Sequence, residues 1–150
     1  MNDAAKLVQS ALIGDVVEGL GLAVFVSDDD LRYLAVNEAA ANLLGYTRDE
    51  LLALRVSDVV DGTPAKLRRR AREAEQEGGR AGAALLRHRD GSAISVRYVT
   101  LGTSIAGRLP VLLTFATDGE SEFLDRLAAK LEPEARRPES ARKRRTSARR

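Results

Sequence analysis

Apolar and polar positions fall along the chain in blocks of two different periods, separated by short runs of turn-forming residues. Leu7, Val8, Ala11, Leu12 and Val16 recur at helical spacing and predict an amphipathic helix from Asn2 or Asp3 to about Glu18. Gly19 and Gly21 stop it. Leu22 to Val26 reads as a strand, Ser27-Asp28-Asp29-Asp30 as a polar turn, and Leu31 to Val36 as the returning strand of a hairpin. An alanine-rich helix follows and breaks at Gly45. Thr47 then caps another helix, with Glu50 three residues on to close a capping box. Val56 to Val60 predicts one further helical turn.

Thr63-Pro64 is a helix start, a capping hydroxyl followed by proline at the first helical position, where its missing N–H does no harm. That helix should run to about Glu77 and end at Gly78-Gly79. Leu67, Ala71 and Ala74 make a thin apolar face on it. Residues 82 to 88 and 92 to 101 pair as strands across Arg89-Asp90-Gly91, because Asp-Gly favours a tight hairpin turn. Ile94, Val96 and Tyr98 alternate with Ser95 and Arg97, which makes the inward face legible. A glycine-rich connector, Gly102 to Gly107, leads to the most apolar strand, Leu109 to Ala116. Ser121 caps a closing amphipathic helix with Phe123, Leu124, Leu127 and Leu131 on one side.

The run Val36-Asn37-Glu38-Ala39-Ala40-Ala41-Asn42-Leu43-Leu44-Gly45-Tyr46-Thr47-Arg48-Asp49-Glu50-Leu51 resembles the N-x-A-x-x-x-x-x-G-Y-x-x-x-E-L core of the PAS family. The Asp90-Gly91-Ser92 hairpin and the alternating strand after it strengthen that resemblance. It implies an α+β fold: a five-stranded antiparallel sheet with short helices on one face, flanked by N- and C-terminal amphipathic helices. The implied organisation is a flanking helix at 1–20, a PAS domain at 21–118, a C-terminal helix at 119–131 and a tail at 132–150. Ala53 stands where the family often has glycine. The last strand ends Ala116-Thr117-Asp118-Gly119, where many members carry an Asp-Ile-Thr type of motif.

Composition and charge narrow the chemistry. Of the net charge of +2, the tail from Glu132 carries eight basic and three acidic residues, leaving sixteen basic and nineteen acidic residues before it. The folded part is therefore mildly acidic, which argues against a nucleic-acid-binding globular face. Prolines 133 and 138 and the run Arg142-Lys143-Arg144-Arg145 predict disorder, and any nucleic-acid contact would go through these arginines. No apolar run approaches the ~18 residues that span a bilayer, and no basic-then-apolar leader opens the chain. The expected location is cytoplasmic.

The chain has no cysteine, which excludes a cysteine-flavin photoadduct and a thioester-linked chromophore. Haem is disfavoured, since the helix from Pro64 to Glu77 has no histidine. The lone His88 reads as a surface or hydrogen-bonded residue near the rim. Tryptophan, common beside flavin in redox sensors of this fold, is absent, and simple flavin binding stays open. No metal cluster, phosphate loop or nucleophile-base pair has recognisable spacing, so no catalytic residue is assigned and an enzyme is the least expected class. The run Arg68-Arg69-Arg70 is either an anion site or a solvated face balanced by Glu73, Glu75 and Glu77.

Threading by analogy with ligand-binding relatives points Phe25, Ser27, Leu34 and Val36 inward, with Val56, Val60 and Leu67 as the helical wall. Leu86, Val96, Tyr98, Thr100, Leu112 and Thr114 would line the sheet. These residues either surround a small apolar ligand or simply pack together, because core and pocket share one composition. The stripes Leu7, Val8, Ala11, Leu12, Val16 and Phe123, Leu124, Leu127 are candidate dimer surfaces. Two function classes follow from the resemblance: a sensory module that binds a small ligand, and a ligand-free dimerisation module. Either would act on a separate effector protein or through its C-terminal helix and tail.

Overall fold

The computed structural model describes residues 21–105 and 107–131. The stripe Leu7, Val8, Ala11, Leu12, Val16 and the basic tail lie outside the described residues. Strands β1 (Ala23–Ser27), β2 (Tyr33–Val36), β3 (Arg80–Arg87), β4 (Ala93–Ile105) and β5 (Leu109–Thr117) form one sheet in the order β2-β1-β5-β4-β3. Every pairing is antiparallel. Four helices connect β2 to β3: α1 (Glu38–Leu44), α2 (Arg48–Leu52), α3 (Val56–Val59) and α4 (Pro64–Glu77). Helix α5 (Glu122–Leu131) follows the last strand. The α+β fold implied by the resemblance is the fold observed.

Local chemistry accounts for the helix boundaries. The Thr47 side chain accepts from the Glu50 N–H at 3.1 Å, and the Glu50 carboxylate accepts from the Thr47 N–H at 2.9 Å, which completes the capping box. Thr63 accepts from the Lys66 N–H ahead of Pro64. Ser121 accepts from the Leu124 N–H at the start of α5.

Apolar residues divide between the two faces of the sheet. Phe25, Tyr33, Val36, Leu44, Leu51, Val59, Leu86 and Val96 pack beneath the connecting helices. Val24, Val26, Val99, Val111 and Phe115 pack on the other face, where Leu124 and Leu127 of α5 meet them.

Three expectations are corrected. Strand β2 does not alternate simply: Val26 pairs with Ala35 but Ser27 pairs with Tyr33, leaving Leu34 as an extra, bulged residue. A bulge resets the side-chain parity, so Leu34 packs with the outer cluster while Tyr33 takes the inner face. The connector from Gly102 to Gly107 is mostly strand, because β4 continues to Ile105 and Gly102 pairs with Leu112. Glycine at 102 allows α4 to lie close, since a Cβ there would sit 3.2 Å from the Glu75 Cα. Finally, Leu124 is buried within the subunit, which commits it to intramolecular packing rather than to a dimer surface, while Leu127 is half-buried against the sheet. Phe123 remains outward, 41% exposed and edge-on to Phe115.

Candidate functional site

Between the inner face of the sheet and helices α3 and α4 lies a cavity of about 160 Å³, partly open to solvent. An apolar cavity of about that size holds a benzene ring. Its floor is the sheet: Phe25 and Ser27 from β1, Leu86 from β3, Val96, Tyr98 and Thr100 from β4, and Leu112 and Thr114 from β5. Val56, Val60 and Leu67 close the helical side. The bridge between Val60 and Leu86 ties that wall to the edge of the sheet.

Of the thirteen residues expected to face a ligand, Leu34 and Val36 take no part. The bulge turns Leu34 to the far face. Val36 points inward but is fully enclosed, within the cluster that includes Ala40 and Leu44 of α1.

The residues that sequence reasoning passed over are the small and the charged ones. Ala71 and Ala74 of α4, Ala84 of β3 and Ala116 of β5 all face the void. Their short side chains leave the space that larger ones would fill, and the alanines of α4 were legible as its apolar face. Leu31 also lines the cavity from a left-handed backbone position, φ 64°, that is sparsely populated for a leucine. Arg70 and Arg80 complete the lining, Arg70 exposed and Arg80 half-buried, the latter 3.4 Å from Glu73.

Polar groups in the cavity are few. The Thr100 and Thr114 hydroxyls bond each other at 2.9 Å. Tyr33, exchanged inward by the bulge, is 7% exposed, and Ser27 5%. Neither of these two hydroxyls bonds another described residue, and neither oxygen is sealed off without a partner, so both open on the cup. Burial, and secondarily the charge of Asp58, pushes the Tyr33 phenol far above its ordinary range, so it is a neutral donor at any physiological pH.

The resemblance motif has a structural role beside this cavity. Arg89, in the β3–β4 turn, donates its N–H to the Leu44 carbonyl at 2.9 Å, pairs with Glu50 at 2.6 Å and lies 5.8 Å over the Tyr46 ring. His88 accepts from the Asp90 N–H, and its ring presses on Gly45, where a Cβ would lie 2.5 Å from the imidazole. The imidazole is therefore held against the α1–α2 turn, away from the cavity. Asp90 accepts from both the N–H and the hydroxyl of Ser92.

Hydrogen bonds hold two carboxyls below their ordinary ranges, Glu50 chiefly through the Thr47 N–H and Asp90 chiefly through Ser92. A depressed carboxylate contributes stability that is full above its unfolded pKa and lost as pH falls through its folded one. Thermal stability should therefore hold from neutral pH down to the ordinary carboxylate range and fall below it. Glu50→Gln should flatten part of that acid slope in melting curves recorded between about pH 7 and pH 3. An unchanged slope would mean that the Thr47 and Arg89 contacts do not hold Glu50 in its charged form.

Among the described residues, no helix is long and apolar enough to cross a membrane, and no group of three potential metal ligands occurs. Without cysteine in the chain, a flavin in this cavity would have no thiol with which to form an adduct.

No curated protein matches the chain significantly. Solved structures do. The PAS domain of an HTR-like protein from Haloarcula marismortui is 22% identical, with a TM-score of 0.62 over 76% of this chain and 89% of that one. A domain of a sensory box sensor histidine kinase/response regulator from Geobacter sulfurreducens is 25% identical, with a TM-score of 0.54 over 71% and 87%. The PAS-B domain of Drosophila melanogaster Cycle with bound ethylene glycol is 12% identical, with a TM-score of 0.54 over 63% and 97%. A family model described as PAS domain matches residues 21–118, the whole span from the first strand through the last. The chain therefore belongs to the PAS domain family, whose members are in general sensory, non-catalytic signalling modules.

Proposed function

We propose that this domain senses a small organic molecule taken into the cup between the sheet and α4, and passes the occupancy to a partner through α5. The observation that carries the proposal is the cavity itself: the inner-face side chains do not close on one another but leave about 160 Å³. A well-packed core has few voids larger than a water molecule, so unfilled space of this size costs stability unless something uses it.

Strand β4 supplies a path outward. Its inner residues Val96, Tyr98 and Thr100 line the cup. Arg97, facing the opposite way, pairs with Asp125 of α5 at 2.7 Å and donates to the Gly119 carbonyl at 3.3 Å. A ligand that shifts β4 therefore moves the joint that seats α5, although the family's usual strand-end motif is missing. The requirement is a difference in ligand affinity between the two seatings.

Mass spectrometry of an extract from the denatured protein, followed by a thermal-shift screen of small organic compounds, tests the proposal. A ligand at a hundred times its Kd should stabilise the fold by about 2.7 kcal/mol, a rise of several degrees. Ala84→Leu should fill the cup and abolish the rise while leaving the unliganded melting temperature nearly unchanged. An empty extract together with a flat screen would remove the sensory proposal and favour a module that works without a ligand. Self-association through α5 would have Phe123 as its outward contact, with the exposed part of Leu127 beside it, since Leu124 is buried against the sheet.

A further inference from the structure

The cup has a charge sign. Its lining includes two arginines, Arg70 and Arg80, and no acidic residue. Glu73 offsets Arg80 at 3.4 Å, whereas Arg70 has no ion-pair partner among the described residues. The arginine run of α4 is thus divided by the helical period: Arg70 borders the cup, while Arg68 and Arg72 border a separate groove beside Asp28 and Asp29. The hydroxyls of Tyr33 and Ser27 add two donors in the cup that bond no other described residue. A ligand that displaces solvent from the cup must give these hydroxyls an acceptor, because a polar group buried without a partner costs free energy.

Resting on the ligand-binding proposal above, we propose that the ligand is a compact organic acid. Its body is a single aromatic ring or a short branched chain, seated among Leu67, Leu86 and Val96. Its carboxylate meets Arg70 and Arg80, and a second oxygen, hydroxyl or keto, accepts from Tyr33. The size follows from the volume, which suits about one ring. The charge follows from the lining, where a cation would face two arginines and a carboxylate finds charge-assisted donors.

Four probes on the full chain decide it: benzoate, 4-hydroxybenzoate, and the neutral isosteres benzyl alcohol and benzamide, measured by calorimetry and thermal shift at low and high salt. The acids should bind about tenfold or more tightly than the isosteres, with the difference shrinking at high salt. Arg70→Gln, at an exposed position, should keep the melting temperature and lose most of that preference. Tyr33→Phe removes a hydroxyl that no described residue bonds, so it should fold at least as stably and lose the preference for 4-hydroxybenzoate over benzoate. Equal binding of acids and isosteres would overturn the acid assignment while leaving a ligand-binding cup. Binding of none of the four by a folded protein would overturn the acid assignment, and an empty extract with a flat screen besides would remove the proposal it rests on.

Discussion

Asn37→Ala is expected to cost roughly 3 to 5 kcal/mol, a large share of the about 5 to 15 kcal/mol that holds an ordinary domain folded. The Asn37 side chain is completely enclosed, and it ties α1 to β1 and to the residue just before β1. Its Oδ1 accepts from the Ala40 N–H at 2.9 Å, capping α1, and from the Val24 N–H at 2.9 Å, in the middle of β1. Its Nδ2 donates to the Leu22 carbonyl at 2.7 Å. Alanine would strand a backbone N–H and a backbone C=O where no water reaches, each at about 1 to 3 kcal/mol, and remove a cap besides. Asn37→Ser can restore the cap but cannot span to Leu22, so it should recover only about 1 kcal/mol. Urea unfolding followed by circular dichroism measures both variants. A loss below about 1 kcal/mol for alanine would show that the enclosed amide is not what fastens β1 to α1.

Gly79→Ala is the second large effect, expected on the order of 2 to 4 kcal/mol. The residue sits between α4 and β3 at φ +144°, outside the range side chains favour. A Cβ there would lie 2.6 Å from Leu131 Cδ2, 3.0 Å from Leu101 Cδ2 and 3.0 Å from the Thr100 carbonyl oxygen. The two leucines can shift; the backbone oxygen belongs to the β3–β4 ladder and cannot. Leu131→Ala in the same chain should therefore rescue only part of the loss. Gly78→Ala is the control next door: its φ is +82°, but its Cβ would meet nothing within 4 Å, so the cost should be the backbone term of about 1 kcal/mol. Equal losses at 78 and 79 would mean that the close approach of α5 and β4 contributes nothing.

Much of the fold was legible because its punctuation is local. A capping hydroxyl, a proline at the first helical position or a glycine after the last turn acts within four residues, so Thr47-Glu50, Thr63-Pro64 and Gly78 announce their helices unaided. Ile94, Val96 and Tyr98 could be oriented for a similar reason, since β4 keeps strict alternation there. Other features depend on partners distant in sequence. Nothing in the residues around Leu34 signals the bulge, which arises where Ser27 pairs with Tyr33. Gly102 reads as loop until the neighbouring helix is present to need the room. The lining was legible where it is aliphatic or aromatic and obscure where it is alanine or arginine: an alanine that bounds a void cannot be told from one that packs, and Arg70 differs from Arg69 only by a rotation about α4. Asn37 was visible as part of a motif, yet its three bonds are to groups that only the folded hairpin brings within reach.

The claim on which the rest depends is that open space, not packed core, lies between α4 and the sheet. Methyl-resolved NMR spectra of the full chain under xenon pressure test it without any assumption about the natural ligand. Xenon enters apolar cavities of about 150 Å³. Saturable shifts are expected at Leu67, Leu86, Val96 and Leu112, none at Val24 or Val99 on the far face, and their loss in Ala84→Leu. Methyl signals that stay still around the cup, or that move equally on both faces, would contradict it.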